Sequence, residues 1–186
     1  MKVTLFGGAF DPPHQGHLQV VQTILKRGLA DEVWFVPTYR HSFDKKMSPV
    51  DQRLKMLELV LVPQTKIETC EIERKGESIT YQTLQQLRQL YPEHQFSWLI
   101  GSDNLSSFSL WHDYQKMLQE FEFYVYPRAG YPLEPLYPGM TPLTEVEQVG
   151  ISSTEIRQKL SLGERIDGLV PEPVRKYLLE RKNGKS

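Results

Sequence analysis

The sequence predicts an α/β fold in three layers, with helices on both faces of a mostly parallel central sheet and a helical segment at the C-terminus. Short runs rich in β-branched and aromatic residues alternate along the chain with stretches that have apolar residues at helical spacing. Glycine or proline follows most of these runs, as expected where a strand or helix ends. Strand and helix in regular alternation favour a parallel sheet covered on both sides. The 186 residues suit a single domain, which we expect to span 1–186.

The first half of the chain contains three predicted strands, at residues 3–6, 33–36 and 66–72. The first predicted helix has Leu18, Val21 and Leu25 on one face, and Gly28 is its expected end. Ser48 is expected to cap the second helix, with Pro49 in its first turn. The residues expected on its buried face are Leu54, Leu57 and Leu61.

The rest of the chain contains two predicted strands, at residues 96–100 and 121–126, and a loop from 127 to 142. Thr80 is expected to cap a helix that ends at Pro92. A later helix begins with Ser152 or Ser153 as its cap, and Gly163 follows it as the C′ residue. The apolar residues expected in a last short helix are Val174, Tyr177 and Leu178.

Composition excludes several classes of protein. A net charge of −1 at pH 7 is unlike the strongly basic balance of a dedicated nucleic-acid binder. No apolar run approaches the roughly 20 residues of a membrane span, and the first residues lack the apolar stretch of a signal peptide. The single cysteine, Cys70, cannot form an internal disulfide, and we expect it to be a small apolar strand residue. A cytoplasmic protein is therefore expected, without a nucleic-acid or membrane partner; a homo-oligomer is left open.

The strongest chemical signal lies in the loop between the first strand and the first helix. Gly7 and Gly8 follow the strand directly, and a backbone without Cβ atoms can approach a ligand closely. The start of the next helix offers free N–H groups that favour a phosphate. His14 and His17 are three residues apart, so both imidazoles can face one space and stabilise charge on a phosphoryl group. The alternative is a rigid proline turn with exposed histidines. Neither a G-x-G-x-x-G fingerprint nor a P-loop is present.

Two segments resemble the signatures of the nucleotidyltransferase superfamily that carries a His-x-Gly-His motif. Residues 7–17 are similar to the first signature, and residues 151–157, with the letters ISSTEIR, are similar to the second. The resemblance implies a Rossmann-like fold and transfer of a nucleotidyl group from a nucleoside triphosphate, with pyrophosphate leaving.

Four further segments narrow the resemblance to bacterial nicotinate-nucleotide adenylyltransferases. They are residues 78–84, 101–104, 110–112 and 127–131, in the order seen in that family. The resemblance therefore covers nearly the whole chain. The loop from 38 to 49 departs from it, because it lacks the family's Pro-Pro-His-Lys run, and Ile79 stands where a tyrosine is usual.

This resemblance implies that the 5′-phosphate of an acceptor mononucleotide attacks the α-phosphorus of ATP. His14, His17 and Arg157 are then the catalytic residues. The residues implied to bind ATP are Gly7, Gly8, Ala9, Phe10, His14, His17, Gly101, Asp103, Ile151, Ser152, Ser153 and Arg157. Alternatives remain for some: Ser152 and Ser153 as simple helix caps, Arg157 as a surface charge, and Asp103 as a turn residue. No carboxylate cluster indicates a protein metal site, so Mg²⁺ is expected to arrive with ATP.

The acceptor is implied to be nicotinate mononucleotide, which would give nicotinate adenine dinucleotide, the precursor in NAD biosynthesis. The residues assigned to it are Lys45, Lys46, Thr80, Trp111, His112 and Arg128. Trp111 can stack on a pyridine ring, although a buried core tryptophan is the ordinary alternative and is the interpretation for Trp34 and Trp98. Lys45 and Lys46 are either solvated charges or part of a loop that closes over phosphates.

The sequence leaves other functions open. Transfer to nicotinamide mononucleotide or to phosphopantetheine, and a cytidylyltransferase, would share both signatures. A nucleotide-binding regulator without turnover is the alternative from another class. Both histidines and Arg157 argue against it, because binding alone does not need groups that act in the transition state.

Overall fold

The computed structural model of the protein describes residues 1–40, 47–147, 150–182 and 184. Its centre is one sheet of six parallel strands in the order β3-β2-β1-β4-β5-β6. The strands are β1 (Lys2–Gly8), β2 (Glu32–Pro37), β3 (Thr65–Ile67), β4 (Gln95–Gly101), β5 (Glu122–Tyr126) and β6 (Met140–Pro142). The sheet confirms the predicted α/β class.

Seven α-helices and one 3-10 helix are formed by the described residues. The α-helices are α1 (Gln15–Lys26), α2 (Val50–Glu58), α3 (Cys70–Arg74), α4 (Thr80–Leu90), α5 (Tyr114–Glu120), α6 (Ser153–Leu162) and α7 (Glu172–Lys182), and the 3-10 helix is Ser102–Leu110. None of these helices has the length and apolar content that crossing a bilayer requires.

The helices form one layer on each face of the sheet. Phe6 and Phe35 point to the face covered by α1, α2, α6 and α7. Their neighbours Leu5 and Trp34 point to the opposite face, where α3, α4 and α5 pack. Side chains along a strand alternate between its two faces, so each buried strand contributes to both cores. Trp34 and Trp98 are both core residues, as the sequence indicated.

β1 and β4 lie side by side at the centre of the sheet. From this pair the sheet grows outward in two opposite directions, with β2 and β3 on one side and β5 and β6 on the other. In open parallel sheets such a switch point leaves a crevice beyond the carboxyl ends of the strands, and ligands bind there. The loop after β1 and the 3-10 helix after β4 both begin at this place. The fold therefore locates a candidate site before any side chain is considered.

The predicted third strand was too long. Only Thr65–Ile67 pairs with β2, and the chain then turns into α3. Glu68 N donates the last hydrogen bond to the neighbouring strand, to Phe35 O at 2.8 Å. Thr69 Oγ1 then donates to Glu73 Oε1 at 2.5 Å across the first turn of α3. Cys70 is buried in that helix rather than in a strand. Burial, followed by the charges of Glu68 and Glu71, raises the pKa of its thiol to about 12, which suits an inert core residue.

The start of α2 also differs from the prediction. Pro49, not Ser48, occupies the N-cap position. Ser48 contacts the loop after β1 instead, and its backbone N–H donates to Asp11 Oδ2 at 2.9 Å. The buried face contains Leu57, as expected. Leu61 lies beyond the helix end and is 39% exposed, so its assignment to that face was wrong.

Three smaller corrections concern short elements. The segment predicted as a loop from 127 to 142 ends in β6, which pairs with β5 over three residues. The 3-10 helix Ser102–Leu110 was not predicted at all. Thr80 is the first residue of α4 rather than its cap, and Ile79 at the N-cap position makes no side-chain hydrogen bond. By contrast, Ser152 caps α6 and Gly163 ends it in the left-handed conformation, as predicted.

Candidate active site

The loop after β1 is held in place by packing inside the protein. A Cβ atom on Gly7 would overlap the ring of Trp98, and one on Gly8 would lie 3.2 Å from Phe10 Cζ. Phe10 itself has a φ of +49° and packs edge-on against Phe6, with ring centroids 5.5 Å apart. Glycine at position 7 is therefore required by the core, independently of any ligand that the loop binds, whereas a side chain at position 8 would make a tight contact with the ring of Phe10.

The two histidines of this loop form one stacked pair at the start of α1. The rings of His14 and His17 have centroids 3.6 Å apart and an interplanar angle of 19°. His14 occupies the N-cap position, and its backbone N–H donates to His17 Nδ1 at 3.1 Å. Because Nδ1 of His17 accepts, the proton of its neutral ring lies on Nε2. This hydrogen bond therefore fixes the tautomer of His17 and leaves Nε2–H as a donor.

Both histidines are neutral at pH 7. Burial, followed by the charge of Arg128, lowers the pKa of His14 to about 3. Burial is also the largest influence on His17, whose pKa lies well below its usual range, with His14 and Arg128 contributing further. Both rings can therefore act as neutral hydrogen-bond donors rather than as charged ones.

The lowered pKa of His14 predicts that the protein loses stability in mild acid. Below pH 6.5 the imidazole of His14 becomes protonated in the unfolded chain, whereas in the folded protein it stays neutral until about pH 3. The free energy of unfolding should therefore fall by about 2 kcal/mol from pH 7 to pH 5 on account of His14. Urea denaturation of wild type and of His14→Gln at both pH values tests this, and the variant should show the smaller fall. Equal falls in the two proteins would contradict the prediction, and His112→Gln, an exposed change, is the control.

The start of α6 docks onto the loop after β1. Ser153 Oγ donates to Pro12 O at 2.9 Å, and Arg157 Nη1 donates to Asp11 O at 2.6 Å. Ser152 Oγ accepts from Glu155 N at 3.1 Å and so caps the helix. The two signature segments, at opposite ends of the sequence, therefore form one site, in which a helix start and an arginine lie beside the histidine loop.

Sequence reasoning missed two buried charges beneath this loop. Asp11 is 3% exposed, and its carboxylate accepts from Ser48 N and lies 4.0 Å from Arg157 Nη1. Arg53 is 1% exposed; its Nη1 donates to Ala9 O at 2.9 Å and its Nε to Ser48 O at 3.1 Å. A signal was available, since an arginine stands on the same helix face as the apolar Leu57. Such a position predicts a paired charge rather than a solvated one.

Arg128 lies with the residues assigned to ATP. Its Nη1 donates to Ile151 O at 2.8 Å, and its Nε is 3.8 Å from Asp103 Oδ1. A Cβ atom on Gly101 would overlap Asp103 Oδ1 and lie 2.9 Å from Arg128 Cγ, so this contact requires a glycine at the end of β4. The sequence assigned Arg128 to the acceptor. Its position beside the histidines and Ile151 suits a phosphate equally well, and the acceptor assignment stays a prediction.

Two other residues assigned to the acceptor, Trp111 and Thr80, lie on the opposite face of the sheet. Trp111 follows the 3-10 helix, is partly buried and packs on Phe108 with ring centroids 5.1 Å apart. Thr80 begins α4 on the same face. His112 is exposed, and its Nε2 lies 3.1 Å from Asp113 Oδ2. Lys45 and Lys46 lie outside the described residues.

The residues assigned to the two ligands therefore form two groups on opposite sides of the sheet. The histidine pair and the start of α6 lie on the side of α1, whereas Trp111 and the start of α4 lie on the other side. Two ligands bound to these groups would meet beyond the carboxyl ends of β1 and β4. Within the described ranges there is no group of three or more His, Cys, Asp or Glu side chains that could hold a metal ion.

Comparison with known proteins shows consistent similarities. The family model described as cytidylyltransferase-like matches residues 5–159. The probable nicotinate-nucleotide adenylyltransferase of Geobacillus thermodenitrificans (strain NG80-2) is 37% identical over 184 residues, which cover 97% of this chain and 84% of that protein. The nicotinate-nucleotide adenylyltransferase of Bacillus subtilis (strain 168) is 34% identical over 183 residues, 96% of each chain.

A solved structure shares the fold. The nicotinic acid mononucleotide adenylyltransferase of Plasmodium falciparum, complexed with NaAD, superposes with a TM-score of 0.82 and 21% identity. The match covers 97% of this chain and 96% of that one. The shared architecture therefore extends over both sides of the crevice.

Proposed function

Because this chain belongs to the nicotinate-nucleotide adenylyltransferase family, we propose that it transfers AMP from ATP to nicotinate mononucleotide, forming nicotinate adenine dinucleotide and pyrophosphate. The observation that carries this proposal is the stacked pair His14 and His17, joined to the docked start of α6 at the switch point of the sheet. This arrangement offers hydrogen-bond donors and a helix start to a triphosphate, as adenylyl transfer requires.

The histidines act on the α-phosphate in this mechanism. A 5′-phosphate oxygen of the acceptor forms a bond to the α-phosphorus, and the bond from that phosphorus to the bridging oxygen of pyrophosphate breaks. Negative charge shifts onto the pyrophosphate oxygens, and no proton needs to leave the attacking phosphate at neutral pH. His17 Nε2–H and the ring of His14 donate hydrogen bonds to the phosphate oxygens. His14 is buried, His17 is half-buried and both rings are neutral, so they are already oriented before the substrate binds.

Arg157 and the start of α6 hold the leaving pyrophosphate. In the structure the guanidinium of Arg157 donates to Asp11 O and to Thr154 Oγ1. A guanidinium has five N–H donors, so others remain for phosphate oxygens. The α6 start adds N–H groups and its positive dipole end. Mg²⁺ would enter with ATP and would supply positive charge that neutralises the phosphates.

The acceptor ring is proposed to lie between Trp111 and the start of α4. Stacking on Trp111 supplies affinity to either pyridine mononucleotide and cannot distinguish them. The α4 start, which has no side-chain cap, presents backbone N–H groups. These groups suit the carboxylate of nicotinate, whereas the NH₂ of nicotinamide would lack an acceptor beside them.

We therefore expect the enzyme to prefer nicotinate mononucleotide over nicotinamide mononucleotide. One unsatisfied polar group costs on the order of 1–3 kcal/mol, so kcat/KM should differ by up to about a hundredfold. The measurement is pyrophosphate release with saturating ATP, Mg²⁺ and each mononucleotide in turn, with phosphopantetheine and a polyol phosphate as further acceptors. Equal values for the two mononucleotides would contradict the acceptor assignment alone, whereas no release with any acceptor would contradict adenylyl transfer.

A further inference from the structure

Arg53 in α2 joins the loop after β1 to the start of its own helix. The residue is 1% exposed, and its guanidinium donates from Nη1 to Ala9 O at 2.9 Å and from Nε to Ser48 O at 3.1 Å. The backbone N–H of Ser48 donates in turn to Asp11 Oδ2 at 2.9 Å, which returns the chain of hydrogen bonds to the same loop. A buried charge is tolerated only with such partners, so these contacts hold the loop in one arrangement.

The hydrogen bond to Ala9 O fixes the direction of the peptide group between Ala9 and Phe10. This peptide is trans, and the C=O and N–H of a trans peptide point in opposite directions. Helix α2 packs against β3, on one side of β1, whereas β4 lies on the other side of β1. A carbonyl directed to α2 therefore turns the N–H of Phe10 toward β4, where the crevice at the switch point opens.

The N–H of Phe10 is free to bind a ligand. Phe10 is 2% exposed, yet no acceptor for its N–H lies among the residues that the structure describes. Buried backbone N–H groups are rarely left without a partner. The φ of +49° is also a conformation that a residue with a Cβ atom keeps only where its surroundings impose it. Phe10 lies beside the histidine pair, with its ring centroid 5.1 Å from that of His17, so a phosphate at the histidines would supply the acceptor.

We propose that Arg53 is a positioning residue for adenylyl transfer, because by holding Ala9 O it turns the N–H of Phe10 toward the α-phosphate of ATP. This inference rests on the proposed function, which places that phosphate at the histidine pair. Arg53 does not touch the substrate, since its guanidinium is buried between the loop and the start of α2. The N–H adds one more donor of fixed direction to the two imidazoles.

The rate of Arg53→Lys tests the proposal. The ammonium keeps the positive charge but lacks the fork that reaches Ala9 O and Ser48 O together, so the peptide group loses its fixed direction. We expect kcat to fall about 10- to 100-fold, up to the scale of losing one preorganised donor. The KM for ATP should change by less than about threefold, because the donor acts mainly as charge develops in the transition state. Arg53→Ala should lower kcat at least as much.

A second measurement identifies the donor. The two diastereomers of ATPαS carry sulfur in place of one or the other non-bridging oxygen of the α-phosphate, and sulfur is a weak acceptor. The N–H of Phe10 faces one of these two positions. The ratio of kcat/KM for the two diastereomers should therefore change about fivefold or more in Arg53→Lys, as for the loss of one hydrogen bond. A loss of folding stability alone would lower both values together and leave their ratio unchanged.

Two variants from the same part of the chain serve as matched controls. Val60→Ala truncates a side chain that is 4% exposed and lies further from the loop, just after the end of α2. It should lower the midpoint of urea unfolding, because it leaves a cavity, while kcat and the diastereomer ratio stay at their wild-type values. Lys55→Ala removes an exposed charge of α2 that pairs with Glu58, and it should change none of these quantities.

The outcomes separate the inference from the proposed function. A wild-type kcat or an unchanged diastereomer ratio in Arg53→Lys would overturn the positioning role while wild type still released pyrophosphate. Absence of pyrophosphate release by wild type with ATP and nicotinate mononucleotide would instead overturn the proposed function. Should Arg53→Ala fail to fold, Arg53→Lys decides alone, because it keeps the buried charge and most of the side-chain volume.

Discussion

Replacing His17 with alanine is expected to lower kcat by about 10²–10³-fold, the scale of losing one preorganised donor in a transition state. The reason lies in the hydrogen bond from His14 N to His17 Nδ1, which leaves Nε2–H as the donor to the phosphate. The KM for ATP should change far less, because the interaction strengthens as charge develops on the phosphate. Pre-steady-state measurement of adenylyl transfer with both substrates saturating separates this step from product release.

Two further substitutions at the same position distinguish catalysis from helix capping. His17→Asn keeps an acceptor near the place of Nδ1 and should restore the free energy of unfolding but not the rate. His17→Gln places an amide NH₂ near the position of Nε2 and should recover part of the rate. Gln15→Ala, an exposed change at the start of the same helix, is the control. If His17→Ala turned over near the wild-type rate, the catalytic role of the pair would be wrong.

Replacing Arg157 with alanine is expected to lower kcat/KM for ATP by about 10- to 100-fold, since hydrogen bonds to a charged group are lost. Arg157→Lys should recover only part of this, because an ammonium lacks the planar fork that binds two phosphate oxygens together. Product inhibition by pyrophosphate should weaken in parallel, since the same contacts hold the leaving group. The exposed Arg165, which pairs with Asp167 after α6, supplies the control Arg165→Ala.

A structural role for Arg157 would give a different pattern. Its hydrogen bond to Asp11 O helps to dock α6 on the histidine loop, so Arg157→Ala also removes a contact within the protein. If that were its whole contribution, the free energy of unfolding would fall while pyrophosphate inhibition stayed unchanged. Wild-type kinetics in both the alanine and the lysine variant would show that Arg157 is a surface charge that does not bind the phosphates.

Patterns within a few residues were sufficient for most of the fold. The strands around Leu5, Trp34 and Trp98 and the helices begun by Gln15 and Ser153 follow from apolar periodicity, caps and breakers that lie inside each element. The misplaced elements are short ones. A three-residue strand such as β6 has no period to detect, and the turn at Thr69 interrupts an alternation that resembled a longer strand.

The candidate site, like the fold, contains residues that the sequence predicted and residues that it did not. The pair of histidines and the cap at Ser152 were predictable because their residue types and spacing carry the chemistry locally. The buried Arg53 was not, because its partners Ala9 and Ser48 belong to other parts of the chain. A charged residue becomes buried and directional only when those partners are brought to it.

By itself, the sequence determined the class of fold, the histidine loop, the second signature and the family to which the chain belongs, all of which depend on residues close together in the chain. The tertiary structure alone decided that Arg157 docks on Asp11, that Arg128 lies among the residues proposed to bind ATP and that both histidines are neutral. The physical reason is that pKa values and hydrogen-bond partners depend on burial and on charges a few ångströms away. Those neighbours come from distant parts of the chain, and no local pattern encodes them.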